Sequence, residues 1–220
     1  MLIQIDKKAR KGARENLGNF SNPSKMPCYS WSIPAQACLT GSKLAKLEGS
    51  VCHGCYALNG FYNMPVVKKA LQKRFSTLEN LEQWENDFLL ALQGETFFRW
   101  FDSGDLQSLP MLQAINNIAR KTPHVRHWLP TKEHKLVSEF LASGETLAEN
   151  LTVRLSAYMV DSYKVPKLTG KVSVVLSENV FQQATETESF KKCKAPAQGG
   201  KCLDCRSCWS ETETVAYLKH

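Results

Sequence analysis

Long apolar runs are absent from this sequence. No stretch approaches the roughly 18 consecutive apolar residues that a membrane-spanning helix needs, and the opening stretch, Met1 to Asn22, lacks the apolar core of a signal peptide. Of the 220 residues, 43% are hydrophobic and 22% are charged, which is ordinary for a soluble globular protein. We therefore expect a cytoplasmic protein without a membrane partner.

Two common catalytic motifs are also missing. The chain contains neither a glycine-rich phosphate loop nor the nucleophile elbow of an α/β-hydrolase. His124 and His127 have no acidic neighbour that would mark a catalytic metal site, so both are expected at the surface. These absences leave the cysteines as the main source of chemistry.

Cysteine is absent from the middle of the chain. The 137 residues from Tyr56 to Lys192 contain none, and the eight cysteines fall into two sets of four. The amino-terminal set is Cys28, Cys38, Cys52 and Cys55, and the carboxyl-terminal set is Cys193, Cys202, Cys205 and Cys208. In a reducing compartment, cysteines at such short spacings are more typical of metal ligands than of disulfides.

Each set is expected to hold either zinc or an iron–sulfur cluster. Structural zinc favours two Cys-x2-Cys pairs separated by a spacer, and neither set has two such pairs. The carboxyl-terminal set is a Cys-x2-Cys-x2-Cys run plus one distant cysteine, a spacing known from iron–sulfur ligation. We therefore expect one or two iron–sulfur clusters, with zinc as the alternative.

Positive charge is in excess, and it concentrates near the start of the chain. The formal net charge is +7. We expect residues 1–25 to form a solvated basic arm. The alternative function is a zinc-stabilised nucleic-acid-binding protein that contacts phosphates through this arm and a lysine-rich helix. The basic residues are Lys7, Lys8, Arg10, Lys11 and Arg14 in the arm and Lys68, Lys69, Lys73 and Arg74 in the helix.

Helix and strand patterns alternate between the two cysteine sets. Periodicity predicts helices over residues 65–75, 78–93, 109–118 and 132–142, and strands over residues 96–101, 125–129, 150–156 and 171–176. Ser108 is expected to cap the third helix. Such alternation implies right-handed crossovers and a parallel sheet. We expect one α/β domain: an arm (1–25), a first cysteine loop (26–63), an α/β part (64–190) and a second cysteine loop (191–210).

Polar residues follow each predicted strand. In parallel α/β sheets, ligands bind at the carboxyl ends of the strands. Those ends are Ser103-Gly104-Asp105, Thr131-Lys132-Glu133, Ser156 and Ser177-Glu178-Asn179.

The sequence resembles a known family. The residues that carry the resemblance are Cys52-x2-Cys55-Tyr56-Ala57, a strand ending in Ser103-Gly104-Asp105, and a closing Cys-x8-Cys-x2-Cys-x2-Cys-Trp. This order resembles the phage-encoded proteins called gene product 88, over Pro27 to Trp209. That family looks like a shortened relative of the radical-SAM enzymes. The resemblance implies a radical-SAM-like partial parallel barrel, and a location in the host cytoplasm for a phage-encoded protein.

The resemblance also implies a site. In radical-SAM enzymes, three cysteines hold a four-iron cluster whose open iron binds S-adenosylmethionine. By similarity, Cys38, Cys52 and Cys55 would hold that cluster, and the carboxyl-terminal set would hold an auxiliary one. The implied ligand-binding residues are Tyr56 in the cluster loop, Ser103, Gly104 and Asp105 at the turn that meets the methionine amino group, and Lys132, Ser156 and Glu178 facing the substrate.

Two features depart from the radical-SAM pattern. The usual loop is Cys-x3-Cys-x2-Cys, whereas thirteen residues separate Cys38 from Cys52. Cys28 is also available as a fourth ligand, and a cluster with four cysteines has no open iron for a cosubstrate. The sequence therefore leaves two readings open. One is an enzyme with radical-SAM-like reductive chemistry, and the other is a redox-sensing protein with a redox partner or a different small-molecule ligand.

Overall fold

A computed structural model of the chain describes residues 6–219, in which seven strands form one sheet with every neighbouring pair parallel. The strands are β1 (Tyr29–Trp31), β2 (Phe97–Trp100), β3 (Arg126–Thr131), β4 (Leu151–Ser156), β5 (Val172–Leu176), β6 (Phe190–Lys192) and β7 (Thr214–Leu218). Their order in the sheet is β1-β2-β3-β4-β5-β7-β6, so the first five follow the chain and β7 lies between β5 and β6. The parallel α/β sheet that the alternation predicts is confirmed.

Seven α-helices accompany these strands within the same residues. They are α1 (Lys7–Asn16), α2 (Leu39–Leu44), α3 (Pro65–Ser76), α4 (Leu81–Ala91), α5 (Leu109–Lys121), α6 (His134–Ala142) and α7 (Glu178–Gln183). Ser108 caps α5 as expected, since its hydroxyl accepts a hydrogen bond from Met111 N. Among the described residues, no helix combines the length and apolar character needed to cross a bilayer.

Helices cover one face of the sheet and bury an aromatic core there. Trp31 of β1 packs against Trp84 and Phe88 of α4, with ring centroids 5.3 Å and 5.8 Å apart. Phe98 and Trp100 of β2 join the same cluster and are fully buried. Burying each of these rings contributes roughly 1.5–3 kcal/mol to the stability of the fold, so this cluster holds β1 and β2 against α4.

The carboxyl-terminal cysteine loop covers the opposite face. Side chains alternate between the faces of a strand, so Arg99, Trp128 and Arg154 project away from the helices. Trp209 packs on Trp128 with ring centroids 5.1 Å apart, and its Nε1 donates to the carbonyl of Phe98 at 2.9 Å. The loop that carries the last cysteines therefore fills the side of the sheet opposite the α-helices.

The start of the described chain is a docked helix and differs from the solvated arm that its charge predicts. Asp6 caps α1, and Ala13 is buried against the rest of the fold. Arg14 donates to the carbonyl of Ala91 and pairs with Glu95 at 2.6 Å. Arg14 thus attaches α1 to the end of α4, whereas Lys7, Lys8 and Lys11 are exposed. Residues 1–5 of the expected arm lie outside the described residues.

Two other expectations are wrong. His127, expected at the surface, is fully buried, with its Nε2 2.9 Å from Thr122 Oγ1 and its ring stacked on Trp100. Arg74, assigned to a basic surface helix, is 6% exposed and donates to the carbonyl of Asn19 at 2.8 Å. Both side chains lie on the inward face of their element, a fact that local sequence does not reveal.

Candidate metal centres

Three cysteines lie at the carboxyl edge of the sheet. Cys38 comes after β1 and directly precedes α2. Cys52 and Cys55 lie on a tight turn, in which the amide of Cys55 donates to the carbonyl of Cys52 at 3.1 Å. Val51, at the start of this turn, donates to the carbonyl of Tyr158 beyond β4 at 2.9 Å. This bond anchors the turn to the same edge of the sheet, and we call Cys38, Cys52 and Cys55 the edge cysteines.

Two of the edge cysteines, Cys38 and Cys52, have neighbouring sulfurs. A Cβ added to Gly41 would lie 3.5 Å from the Cys38 sulfur and 3.6 Å from the Cys52 sulfur. Burial, together with the negative charges of Asp105, Cys52 and Cys55, raises the pKa of Cys38 to about 12. The free thiol is therefore protonated at neutral pH, and a metal would have to displace that proton.

Lys132 and Asp105 face the edge cysteines from the ends of β3 and β2. The positive charge of Lys132 lowers the pKa of Cys38 and Cys52, against the larger effect of burial. The Asp105 carboxylate accepts hydrogen bonds from Thr131 Oγ1 at 2.6 Å and from two backbone amides at 2.8 Å. Burial nevertheless raises the pKa of Asp105 to about 6. The edge thus combines thiols, an ammonium group and a buried carboxylate.

Glu133 holds the segment that carries Cys38. Its carboxylate accepts hydrogen bonds from the backbone amide and the hydroxyl of Thr40, both at 2.8 Å. Glu133 is 6% exposed, and Thr40 lies two residues after Cys38 in the first turn of α2. In the sequence, Glu133 is noticeable only as part of a polar strand end, because its partner Thr40 lies 93 positions away.

The Ser103-Gly104 turn is held by hydrogen bonds and close packing within the protein. The Ser103 hydroxyl donates to the carbonyl of Ile33 at 3.0 Å, and the Ile33 amide donates to the carbonyl of Ser103 at 3.2 Å. Gly104 has φ +80°, and a Cβ there would lie 2.2 Å from Ile33 Cγ1. These residues therefore fix the edge, and the Ser103 hydroxyl, expected to orient a cosubstrate, is already used within the protein.

Tyr56 belongs to a hydrogen-bonded group that sequence reasoning missed in part. Its hydroxyl donates to the carbonyl of Asp102, and the Tyr62 hydroxyl donates to the Asp102 carboxylate at 3.1 Å. The Ser30 hydroxyl reaches the same carboxylate at 3.2 Å. In the sequence, a role for Asp102 is indicated by its position directly after the predicted strand.

Ser156 and Glu178, the other expected ligand-facing residues, have separate surroundings. The Ser156 hydroxyl accepts from Ser173 Oγ at 3.1 Å, and the Ser156 carbonyl accepts from His134 Nε2 at 3.0 Å. Glu178 is exposed in the first turn of α7, where its carboxylate accepts from Gln182. These contacts place Ser156 near the edge and leave Glu178 on the outer surface of α7.

The second group of cysteines lies over the sheet face without helices. Cys193, Cys202, Cys205 and Cys208 line one small cavity, which Trp209 closes on one side. The structure places Cys28 with this group. The Cys202 amide donates to the carbonyl of Lys25 at 2.9 Å, and the Cys202 sulfur lies 3.9 Å from the sulfur of Met26, so the segment before Cys28 contacts this loop. Burial raises the pKa of the Cys28 thiol to about 12, and the charge of Cys202 adds to the rise. We call these five residues the face cysteines, and the assignment of Cys28 to the amino-terminal set is corrected accordingly.

Arg99 lies between the two groups of cysteines. Its guanidinium packs over the Trp128 ring at 4.7 Å, and its positive charge acts on both Asp102 and Cys208. Cation–π contact of this kind holds the group in place on the sheet face. The structure thus puts one cation within electrostatic range of the face cysteine Cys208 and of Asp102, the hydrogen-bond partner of Tyr56 and Tyr62.

The sulfurs surround small volumes but do not meet at one point. Within residues 6–219, no three His, Cys, Asp or Glu side chains are arranged to hold a single metal ion. Tetrahedral zinc, with Zn–S bonds of about 2.3 Å, would need sulfurs only about 3.8 Å apart. A cluster takes one cysteine per iron and spreads its sulfurs wider than a single zinc ion does.

Comparisons with known proteins give a family and nothing closer. The family model described as gene product 88 matches residues 2–211 of the chain. No curated protein and no solved structure matches the chain.

Proposed function

The chain belongs to the gene product 88 family, and on that premise we propose that it is an iron–sulfur protein with a radical-SAM-like fold. In this proposal the edge cysteines hold a four-iron cluster and the face cysteines hold a second one. The edge cluster binds a small ligand, for which S-adenosylmethionine is the candidate that the radical-SAM resemblance implies.

One observation carries the proposal: three sulfurs, and not four, lie at the carboxyl edge. Cys28 precedes β1, whereas Cys38 follows it. Besides burial, the negative charge of Cys202 raises the pKa of the Cys28 thiol, so Cys28 lies near the face cysteines. A four-iron cluster held by Cys38, Cys52 and Cys55 alone has one iron without a protein ligand. That iron is the position at which a small ligand would bind.

The sheet supports a partial barrel. Its first five strands follow one another in chain order and are all parallel, which is the strand order of barrels built from successive β-α units. Ligands of such folds bind at the carboxyl ends of the strands, where the edge cysteines lie.

This chain's residues have defined tasks at the proposed cluster. Lys132 supplies a positive charge that favours the thiolate form of Cys38 and Cys52 and is available to a ligand carboxylate. Asp105 orients the backbone of Lys132 through its 2.8 Å hydrogen bond to that amide. When present, the cluster would supply single electrons to the ligand bound at its open iron.

The nucleic-acid alternative receives less support. Arg10 and Arg14 donate to carbonyls at the end of α4, and Arg74 is buried. Lys68, Lys69 and Lys73 are exposed, but a few surface lysines are common on any soluble protein.

The test is anaerobic iron, sulfide and zinc analysis, combined with electron paramagnetic resonance (EPR) of the reduced protein. We expect about eight iron atoms per chain, as two four-iron clusters require, and a change in one EPR signal when S-adenosylmethionine is added. Colourless protein that contains stoichiometric zinc and no sulfide would overturn the proposal.

A further inference from the structure

A buried guanidinium lies beneath the carboxyl-terminal cysteine loop. Arg154 of β4 is fully buried. Its Nε donates to the carbonyl of Cys208 at 3.0 Å, and its Nη2 donates to those of Ser207 and Ser210, both at 2.9 Å. Its Nη1 donates to the carbonyl of Thr212 at 2.8 Å. One side chain thus fixes the backbone on both sides of Cys208.

In the described part of the chain, no carboxylate is in contact with this charge. Among the described residues, every hydrogen-bond acceptor of Arg154 is a main-chain carbonyl. The carboxylate within range is that of Glu211, which is 82% exposed and pairs with Lys171 at 2.8 Å. Burying an ion without a counter-ion is strongly unfavourable. Within residues 6–219, this buried positive charge therefore has no acidic residue in direct contact.

The face cysteines supply such a partner once they bind a metal. Cys208, whose carbonyl Arg154 holds, lines the cavity shared with Cys193, Cys202 and Cys205. Ligand thiols are deprotonated on binding, so a centre with four thiolates carries a net negative charge. We infer that Arg154 is the counter-charge of the metal centre at the face cysteines and positions the loop that carries Cys208. This inference rests on the proposed function, because it assumes that the face cysteines bind a metal.

A counter-charge has a signature that a merely structural residue lacks. One-electron reduction adds a negative charge to a cluster, and a nearby buried cation stabilises the reduced form. Arg154→Met removes the charge and the donors, so the ratio of reduced to oxidised centre at a fixed potential should fall about tenfold, which is a shift of about 59 mV for one electron. Arg154→Lys keeps the charge and loses donors, so its ratio should stay within about threefold of wild type.

The experiment is an anaerobic redox titration of the full-length protein, followed by EPR. The step that belongs to the face cysteines is the one that Cys205→Ala abolishes. Arg74→Met is the matched control, because Arg74 is also buried and donates to main-chain carbonyls, but belongs to α3. It should leave the potential of that step unchanged. Equal potentials in wild type and Arg154→Met, or a similar shift in Arg74→Met, would overturn the inference.

Two further outcomes keep the test decisive. If Arg154→Met does not fold, the test depends on Arg154→Lys alone. A fall of about tenfold in its ratio of reduced to oxidised centre, despite the retained charge, refutes the counter-charge. If the protein contains zinc without iron or sulfide, the proposed iron–sulfur function fails. The inference is then judged by chelator competition, where Arg154→Met must release zinc at about tenfold lower chelator concentration than Arg154→Lys. Equal release by the two variants refutes it.

Discussion

The hydrogen bonds from Thr40 to Glu133 predict how strongly the edge centre depends on its supporting residues. Glu133→Ala removes the acceptor of two 2.8 Å hydrogen bonds. A hydrogen bond to a charged group contributes about 1.5–3 kcal/mol. Because Thr40 is half-buried, water can replace part of the lost hydrogen bonding. We expect the metal-free protein to lose about 2–3 kcal/mol of unfolding free energy, and the start of α2, next to Cys38, to loosen.

The effect on the metal should exceed the effect on the fold. Loss of supporting hydrogen bonds typically lowers metal affinity by 10–100-fold, so we expect the edge centre to lose iron to a chelator about tenfold faster in Glu133→Ala. Glu133→Gln keeps one acceptor oxygen and should be intermediate. Glu139→Ala is the control, because Glu139 lies in α6, the helix that Glu133 directly precedes, is 47% exposed and pairs with the exposed Lys135. Wild-type iron retention in Glu133→Ala would refute the reasoning.

Three other predictions follow from the geometry. Cys38→Ala should remove about half of the iron, four of eight atoms, whereas Cys28→Ala should keep the EPR signal that responds to S-adenosylmethionine; loss of that signal in Cys28→Ala would contradict the three-cysteine site. Gly104→Ala should lower the unfolding free energy in urea by about 3 kcal/mol, because φ of +80° and a Cβ 2.2 Å from Ile33 Cγ1 are both unfavourable. Burial lowers the pKa of His127 from 6.5 to about 3, so the unfolded state takes up a proton first. The contribution of His127 to the stability of the metal-free protein should therefore fall as pH decreases from 6.5 towards 3, by up to about 1.4 kcal/mol per pH unit. The raised pKa of Asp105 acts in the opposite direction below about pH 6, so the His127 contribution is measured as the difference in slope between wild type and His127→Gln.

The helices and strands between Pro65 and Leu176 were predictable because their signals are local. Residues 109–118 repeat apolar side chains at helical spacing, and the corresponding helix, α5, buries that face. Strands β1, β6 and β7 were not predicted. They have three to five residues each and form because neighbouring strands supply hydrogen-bond partners, so their signal is tertiary.

The candidate site was predictable in composition but not in grouping. Spacing identified Cys52 and Cys55 as one turn, and the structure keeps them together. Cys28 and Cys38 are close in sequence, yet β1 lies between them. Because a strand advances about 3.3 Å per residue, even this three-residue strand carries the chain from one end of the sheet towards the other. Sequence distance alone could not show that.

The position of β7 has a consequence for the order of events during synthesis. β7 pairs with β5 on one side and with β6 on the other, although it follows both in the chain. β6 has no sheet partner until β7 has left the ribosome, and the loop with Cys202, Cys205 and Cys208 lies between these two strands. Contacts of such long sequence separation form late in folding. Metal insertion at the face cysteines should therefore follow the emergence of β7, whereas the turn with Cys52 and Cys55 is available to a metal earlier in translation.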